Sequence, residues 1–154
     1  MKGDAKLIDT LNELLAEELT AINQYMLHAE ILENWGYTKL YAKVREFGIV
    51  EMKHAERLMG RILFLEGLPN VSKLNPMRIG KTVEEMVLSD YDAEVAAVKS
   101  YNEAIAQAVS VGDNGTRDLL TEILKDEEGH IDWAEEQRDQ IQQMGLQNYL
   151  ANQV

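Results

Sequence analysis

The stretch EMKHAERLMG, Glu51–Gly60, sets a carboxylate and an imidazole three residues apart, Glu51 and His54, inside a pattern that reads as mid-helix. At that spacing two side chains leave one helical face together and can reach the same ion. Seventy-six residues on, DEEGHIDWAE repeats the arrangement with Glu127 and His130. Two of the chain's three histidines therefore fall in this spacing. A lone Glu-x-x-His pair is a weak signal, because helices rich in glutamate produce it by chance, but a repeated pair is much stronger.

The repeat extends outward from these pairs. Glu18 lies 33 residues before Glu51, and Glu94 lies 33 residues before Glu127, so Glu18, Glu51, His54 and Tyr25 recur as Glu94, Glu127, His130 and Tyr101. Little else in the two halves matches, so the coincidence falls on groups able to do metal chemistry. His28 has no such counterpart, its repeat position being Ala104, and it reads as an ordinary surface or interface histidine.

The surrounding pattern is helical throughout. Leu7, Leu11, Leu14, Leu15, Ile22 and Tyr25 recur at helical spacing in a first segment. A second runs from about Lys39 to Glu66 after the short NWGYT. Both prolines, Pro69 and Pro76, fall in GLPNVSKLNPMRIGKT, the only long break. Thr82 with Glu85 then forms a capping-box pattern opening a third helix that runs to about Val111. A fourth runs from about Thr116 to Met144, and Gly145 leaves LQNYLANQV as a short terminal piece.

Helices of about 28 residues are roughly 40 Å long. A 16-residue break is long enough to carry the chain back along a bundle, making the second and third helices parallel. The expected fold is all-α: a four-helix bundle with one long crossover and a short C-terminal fifth helix, forming a single domain over residues 1–154.

On that bundle, helices one and three each supply a Glu, and helices two and four each supply a Glu and a His. This is the known donor pattern of ferritin-like di-metal carboxylate bundles. Glu18 is flanked by Leu14, Leu15, Ala21 and Ile22, and Glu94 by Tyr91, Val95 and Val98, so both are expected to face an apolar interior. Four buried, unpaired carboxylates would cost several kcal/mol each, a penalty that two divalent cations would offset. Oxygen-rich donors with one imidazole per ion favour iron or manganese over structural zinc. Tyr25 and Tyr101 return to the same faces two turns on, as hydrogen-bond partners of the ligands or as electron donors.

Composition narrows the alternatives. The chain has no cysteine, which excludes disulfides, thiolate zinc sites, iron–sulfur clusters and a cysteine nucleophile. Its net charge of -12 and lack of a basic block argue against nucleic acid as a partner, and are compatible with attraction of metal cations. No stretch approaches the roughly 20 apolar residues of a membrane span, and no signal peptide is evident. A cytoplasmic location is expected.

Glu18, EMKHAE, Glu94 and DEEGHIDWAE, spread over four helices and a short fifth, resemble the bacterioferritins across essentially the whole chain. The resemblance implies a ferroxidase that stores ferric mineral in a hollow shell of 24 subunits, with two iron ions per subunit and O2 or H2O2 as oxidant. It implies that Glu51 and Glu127 bridge the ions, that Glu18 and Glu94 cap them, and that His54 and His130 complete them. It also implies haem b held between two subunits by Met52 of each, and a small ferredoxin as the electron donor for iron release. Met52 follows Glu51 by about 100° around the helix, so it should face away from the cluster.

Glu46 and Val50 stand where some bacterioferritins carry a cavity-facing histidine and aspartate, so an inner-surface iron site of that kind is not expected, and His130 could gate transit of the ions themselves. Two rivals carry less. A rubrerythrin-like peroxidase or catalase usually adds an iron–thiolate domain, for which this chain has no cysteine. DNA-coating ferritin-like shells place their metal between subunits and often have basic tails.

Overall fold

A computed structural model describes residues 1–154. The chain forms α1 (Ala5–Asn34), α2 (Thr38–Phe64), α3 (Val83–Ser110), α4 (Asn114–Met144) and α5 (Leu146–Ala151), with no strand. Asp4 starts α1 by accepting from the Leu7 N–H at 2.9 Å. Asp113 caps α4 through Thr116 N, so this helix begins two residues earlier than its apolar pattern suggests. The expected capping box at α3 is displaced. Thr82 accepts from Glu85 N, but the Glu85 carboxylate reaches back to Lys81 N, one residue before the cap.

Cross-links fix the directions of the helices. Thr10–Gln107, Ser100–Glu17 and Gln24–Asp90 contacts run in opposite order along α1 and α3. Arg61–Asp113, Arg57–Glu122 and His54–Asp126 do the same for α2 and α4. The crossover lies along α1. Asn70 N bonds Asn12, Asn75 N bonds Thr20, Arg78 N bonds Gln24 and Gly80 N bonds His28, each step moving further up the helix. The strap thus returns the chain to the end where α2 began, and α2 and α3 run parallel as expected.

His28 departs from the sequence reading. It is fully buried, not at the surface. Its Nε2 accepts the Gly80 N–H at 2.9 Å, so the ring proton sits on Nδ1 and is donated to the Asp90 carboxylate, 2.9 Å away. Gln24 bridges the same elements, donating to Asp90 and accepting from Arg78 N. Gly80 has to be small here, because a Cβ would come within 2.4 Å of Met86 N at the start of α3.

The apolar core is in two parts. One gathers Leu11, Leu14, Leu15, Leu58, Ile62, Leu120 and Ile123, and the other gathers Leu32, Leu40, Val44, Phe47, Met86 and Tyr149. Each fully buried leucine or isoleucine contributes about 1.5–3 kcal/mol. On every long helix a Glu lies between the two parts: Glu18, Glu51, Glu94 and Glu127. The bundle therefore holds a polar layer clamped between two apolar ones.

Candidate metal centre

All six expected side chains reach that layer. Glu18, Glu51, Glu94 and Glu127 are no more than 2% exposed, His54 is 2% and His130 is 5%. Leu14 and Leu15 wall the layer as expected, whereas Val95, counted beside Glu94 in the apolar surroundings, points outward. Two overlapping donor sets result: Glu18, Glu51, His54 and Glu127, and Glu51, Glu94, Glu127 and His130. Within each set the donor atoms lie within 4.8 Å of one another, and Glu51 and Glu127 belong to both.

Atom positions assign the sharing. Glu51 turns Oε1 toward His130 Nδ1, at 2.9 Å, and Oε2 toward His54 Nδ1, at 3.6 Å. His54 Nδ1 also lies 2.9 Å from Glu127 Oε1 and 3.6 Å from Glu18 Oε2. His130 Nδ1 is 3.1 Å from Glu94 Oε1. Despite these short distances, Glu18 Oε2, Glu51 Oε1, Glu94 Oε2, Glu127 Oε1 and His54 Nδ1 have no hydrogen-bond partner. They converge without pairing. Donors about 2.1 Å from a shared hard cation sit about 3–4 Å apart, which is the spread seen here.

The tyrosines cross the bundle. Tyr25 on α1 donates to Glu94 Oε1 on α3 at 2.6 Å, and Tyr101 on α3 donates to Glu18 Oε1 on α1 at 2.5 Å. Each capping glutamate thus has one oxygen tied and the other free toward the centre. Burial, reinforced by the Glu94 and Glu18 charges respectively, lifts both phenols well above their ordinary range, so they remain donors.

Without cations the layer holds protons instead. Burial, with the charges of Glu18 and Glu94, pushes Glu51 well up, and burial with the same two charges does so for Glu127. Burial would lower His54, but contacts with Glu127 and Glu18 outweigh it and carry this imidazole up to about 10. Glu94 goes the other way. Burial raises it, yet Glu127, His130 and the Tyr25 hydroxyl hold it below the usual range.

Several groups at the site had no mark in the sequence reading. Asp126 accepts from His54 Nε2 at 2.8 Å, on the far side of the ring from the cluster. Glu17 takes a hydrogen bond from Ser100 and lines a cleft of about 200 Å³ that opens between α1 and α3, beneath Asn75 and Pro76, onto all four central glutamates. Both are acidic residues next to a predicted ligand. Only the packing of a second helix distinguishes them from solvated neighbours.

Met52 points away from the centre as expected. It is 45% exposed in a groove of about 260 Å³ between α1 and α2, with Ile22, Met26, Ile49 and Arg45. Two soft thioethers and an apolar wall, with Arg45 and Glu30 as the only charged residues, give this groove a chemistry unlike that of the carboxylate layer.

Comparison with known proteins agrees with this geometry. The family model described as a ferritin-like domain matches residues 8–144. A bacterioferritin of Brucella melitensis is 45% identical over 149 residues, covering 97% of this chain and 92% of its own length. One of Rhodobacter capsulatus is 44% identical with the same coverage. A bacterial ferritin of Synechocystis is 42% identical over 155 residues, covering 100% of this chain and 99% of its own.

Proposed function

The chain belongs to the bacterioferritins of the ferritin-like family, and we propose that Glu18, Glu51, His54, Glu94, Glu127 and His130 form its ferroxidase centre. Bacterioferritins store iron and oxidise Fe(II) as they take it up, and that is the function of this protein. It binds iron, and its kind assembles as a homo-oligomeric shell. The convergence of five unpartnered buried donor atoms in two sets sharing Glu51 and Glu127 is the observation that carries the assignment of the centre.

The substrate is Fe(II), two ions per subunit. Glu51 and Glu127 bridge them. Glu18 with His54 completes one position, and Glu94 with His130 completes the other. Two ions held close together can each give one electron to the same O2 or H2O2 molecule. The free oxygens of Glu18 and Glu94 are aimed at the ions by the bonds that Tyr101 and Tyr25 make to their other oxygens. Tyr25, the nearer neighbour of Glu94, is also placed to act as an electron donor. Ferric product moves on to a mineral core inside a shell of 24 subunits, about 420 kDa for chains of 17.5 kDa.

The Met52 groove fits haem b shared between two subunits. Its thioether is exposed, its walls are apolar, and Arg45 is available to a carboxylate. Bound there, haem would supply one-electron transfer. A small ferredoxin as electron donor for iron release, and a cytoplasmic location, complete the reading.

Glu18→Ala is the direct test of the centre. Apoprotein mixed with Fe(II) in air should lose its rapid ferric absorbance phase while eluting at the wild-type assembled mass. An unchanged rapid phase would remove the centre from this proposal. Met52→Leu should abolish haem retention and leave that phase intact.

A further inference from the structure

The 76-residue repeat pairs the ligands and the tyrosines behind Glu18 and Glu94, but not the supports of the two histidines. His54 and His130 correspond, and the residue that accepts from His54 Nε2, Asp126, corresponds to Val50. No protein atom hydrogen-bonds the His130 Nε2. Apart from Nδ1, which faces Glu94 and Glu51, that ring is held by packing, against Phe47 with centroids 4.1 Å apart and Tyr25 at 6.1 Å. Its outer edge adjoins an opening lined by Glu46, Val50, Lys125, Gly129 and Asp126, the last already bonded to His54. Glu46 makes no hydrogen bond to the His130 ring and lies instead 3.6 Å from Lys43.

We infer that the two ion positions of this centre are unequal: Asp126, as a positioning residue, makes the Glu18/His54 position the tighter one, and Val50 leaves the Glu94/His130 position the weaker and more exchangeable. The inference rests on the six-residue centre proposed above.

The chemistry follows from the imidazole. A carboxylate accepting the Nε2 proton fixes the tautomer, so the Nδ1 lone pair is the one offered to the ion, and it makes that nitrogen more basic. It also stops the ring turning. Loss of such a partner typically weakens metal binding about 10–100-fold. The Asp126 side chain is 52% exposed, so solvent screens its charge and the lower end, about tenfold, is expected. His130 has no such partner at Nε2, so no carboxylate on its outer side fixes its tautomer or stops the ring turning. The first ion to arrive therefore stays at the Glu18/His54 position, and the second is the one that exchanges.

Anaerobic titration with Co(II), followed by its visible absorption and by calorimetry, reads the two positions without turnover. Wild type should fill in two steps, one ion per subunit each, with affinities at least tenfold apart. Asp126→Ala should weaken the first step about tenfold and leave the second within about twofold. Asp126→Asn, which keeps a neutral acceptor, should fall between. Val50→Asp should tighten the second step until the two merge, and this variant serves even where Asp126 substitutions fold poorly. Equal steps in wild type, or equal weakening of both by Asp126→Ala, would overturn the inference while leaving the centre intact. Absence of any Co(II) binding at the six residues would instead bring down the centre itself.

Discussion

Two buried clusters in this bundle both set imidazole against carboxylate and have opposite hydrogen-bond states. At the knot of His28, Asp90 and Gln24, both imidazole nitrogens are engaged, the carboxylate receives two donors, and the strap's amides at Arg78 and Gly80 complete the set. In the layer of Glu18, Glu51, His54, Glu94, Glu127 and His130, five donor atoms face each other without partners. A satisfied buried network holds a structure in one form, whereas an unsatisfied one carries a cost of about 1–3 kcal/mol per group until something binds. Satisfaction, more than composition, separates the fastener from the proposed metal centre.

Substitution of Glu51 should break this contrast most sharply. It alone turns one oxygen toward each histidine. Glu51→Ala should lower the rapid rate of Fe(II) oxidation on the order of 100-fold, measured by stopped-flow absorbance. The same change removes a buried carboxylate with an unpaired oxygen, so the thermal midpoint of the metal-free protein should hold or rise. A drop in the midpoint would show that the layer is a structural network like the knot.

The converse experiment addresses the knot. His28→Ala leaves Asp90 buried without its main donor and frees the Gly80 amide, at a cost of about 3–5 kcal/mol. Replacing His28 and Asp90 together by leucines should cost less than His28→Ala alone, because no unpaired charge remains. Urea denaturation of the two variants against wild type measures both. Equal losses for the single and double variants would mean that a buried Asp90 charge left without its donor is not the source of the loss.

The sequence marked these two clusters unequally. Donor residues of the layer recur once, 76 positions on, on strongly periodic helices, so the fold and the six side chains could be read from that spacing together with its match to a known bundle pattern. The knot could not. His28 has no carboxylate at ligand spacing, and its partners lie 52 and 62 residues away on the strap and α3. Without the packed tertiary structure it looked like a surface residue. Asp126 was hidden for the same reason: its role depends on His54 of another helix, and in sequence it is one more acid in an acidic run. The displaced capping box at Lys81 and the early start of α4 are ordinary uncertainties of helix ends.

Metal loading should sharpen the comparison from the side of protons. At pH 7 His54 is charged, with its proton held up to about 10, and Glu51 and Glu127 are raised well above the usual carboxylate range. Ligands must shed these protons to bind. Anaerobic Co(II) addition at pH 7 should therefore release protons in a pH-stat, and apparent affinity should weaken as pH falls from 8 to 6. Loading without proton release would mean that the metal-free layer already lies ionised.

Glu17, at the lip of the cleft, should give the smallest effect. Burial, opposed by the Ser100 hydrogen bond and helped by the charge of Glu18, moves its carboxyl from 4.5 to about 7. A carboxyl raised on folding binds its proton more tightly in the native state. Its contribution to stability is therefore fully present below 4.5 and is lost as pH rises through 7, where the buried charge must form. Glutamine retains an acceptor for Ser100 and carries no charge. Glu17→Gln should leave the thermal midpoint of the metal-free protein unchanged at pH 5 and raise it by a few degrees at pH 8. A variant equally stable relative to wild type at both values would place Glu17 in water, and the cleft would then open wider onto the four glutamates than its packing against Ser100 allows.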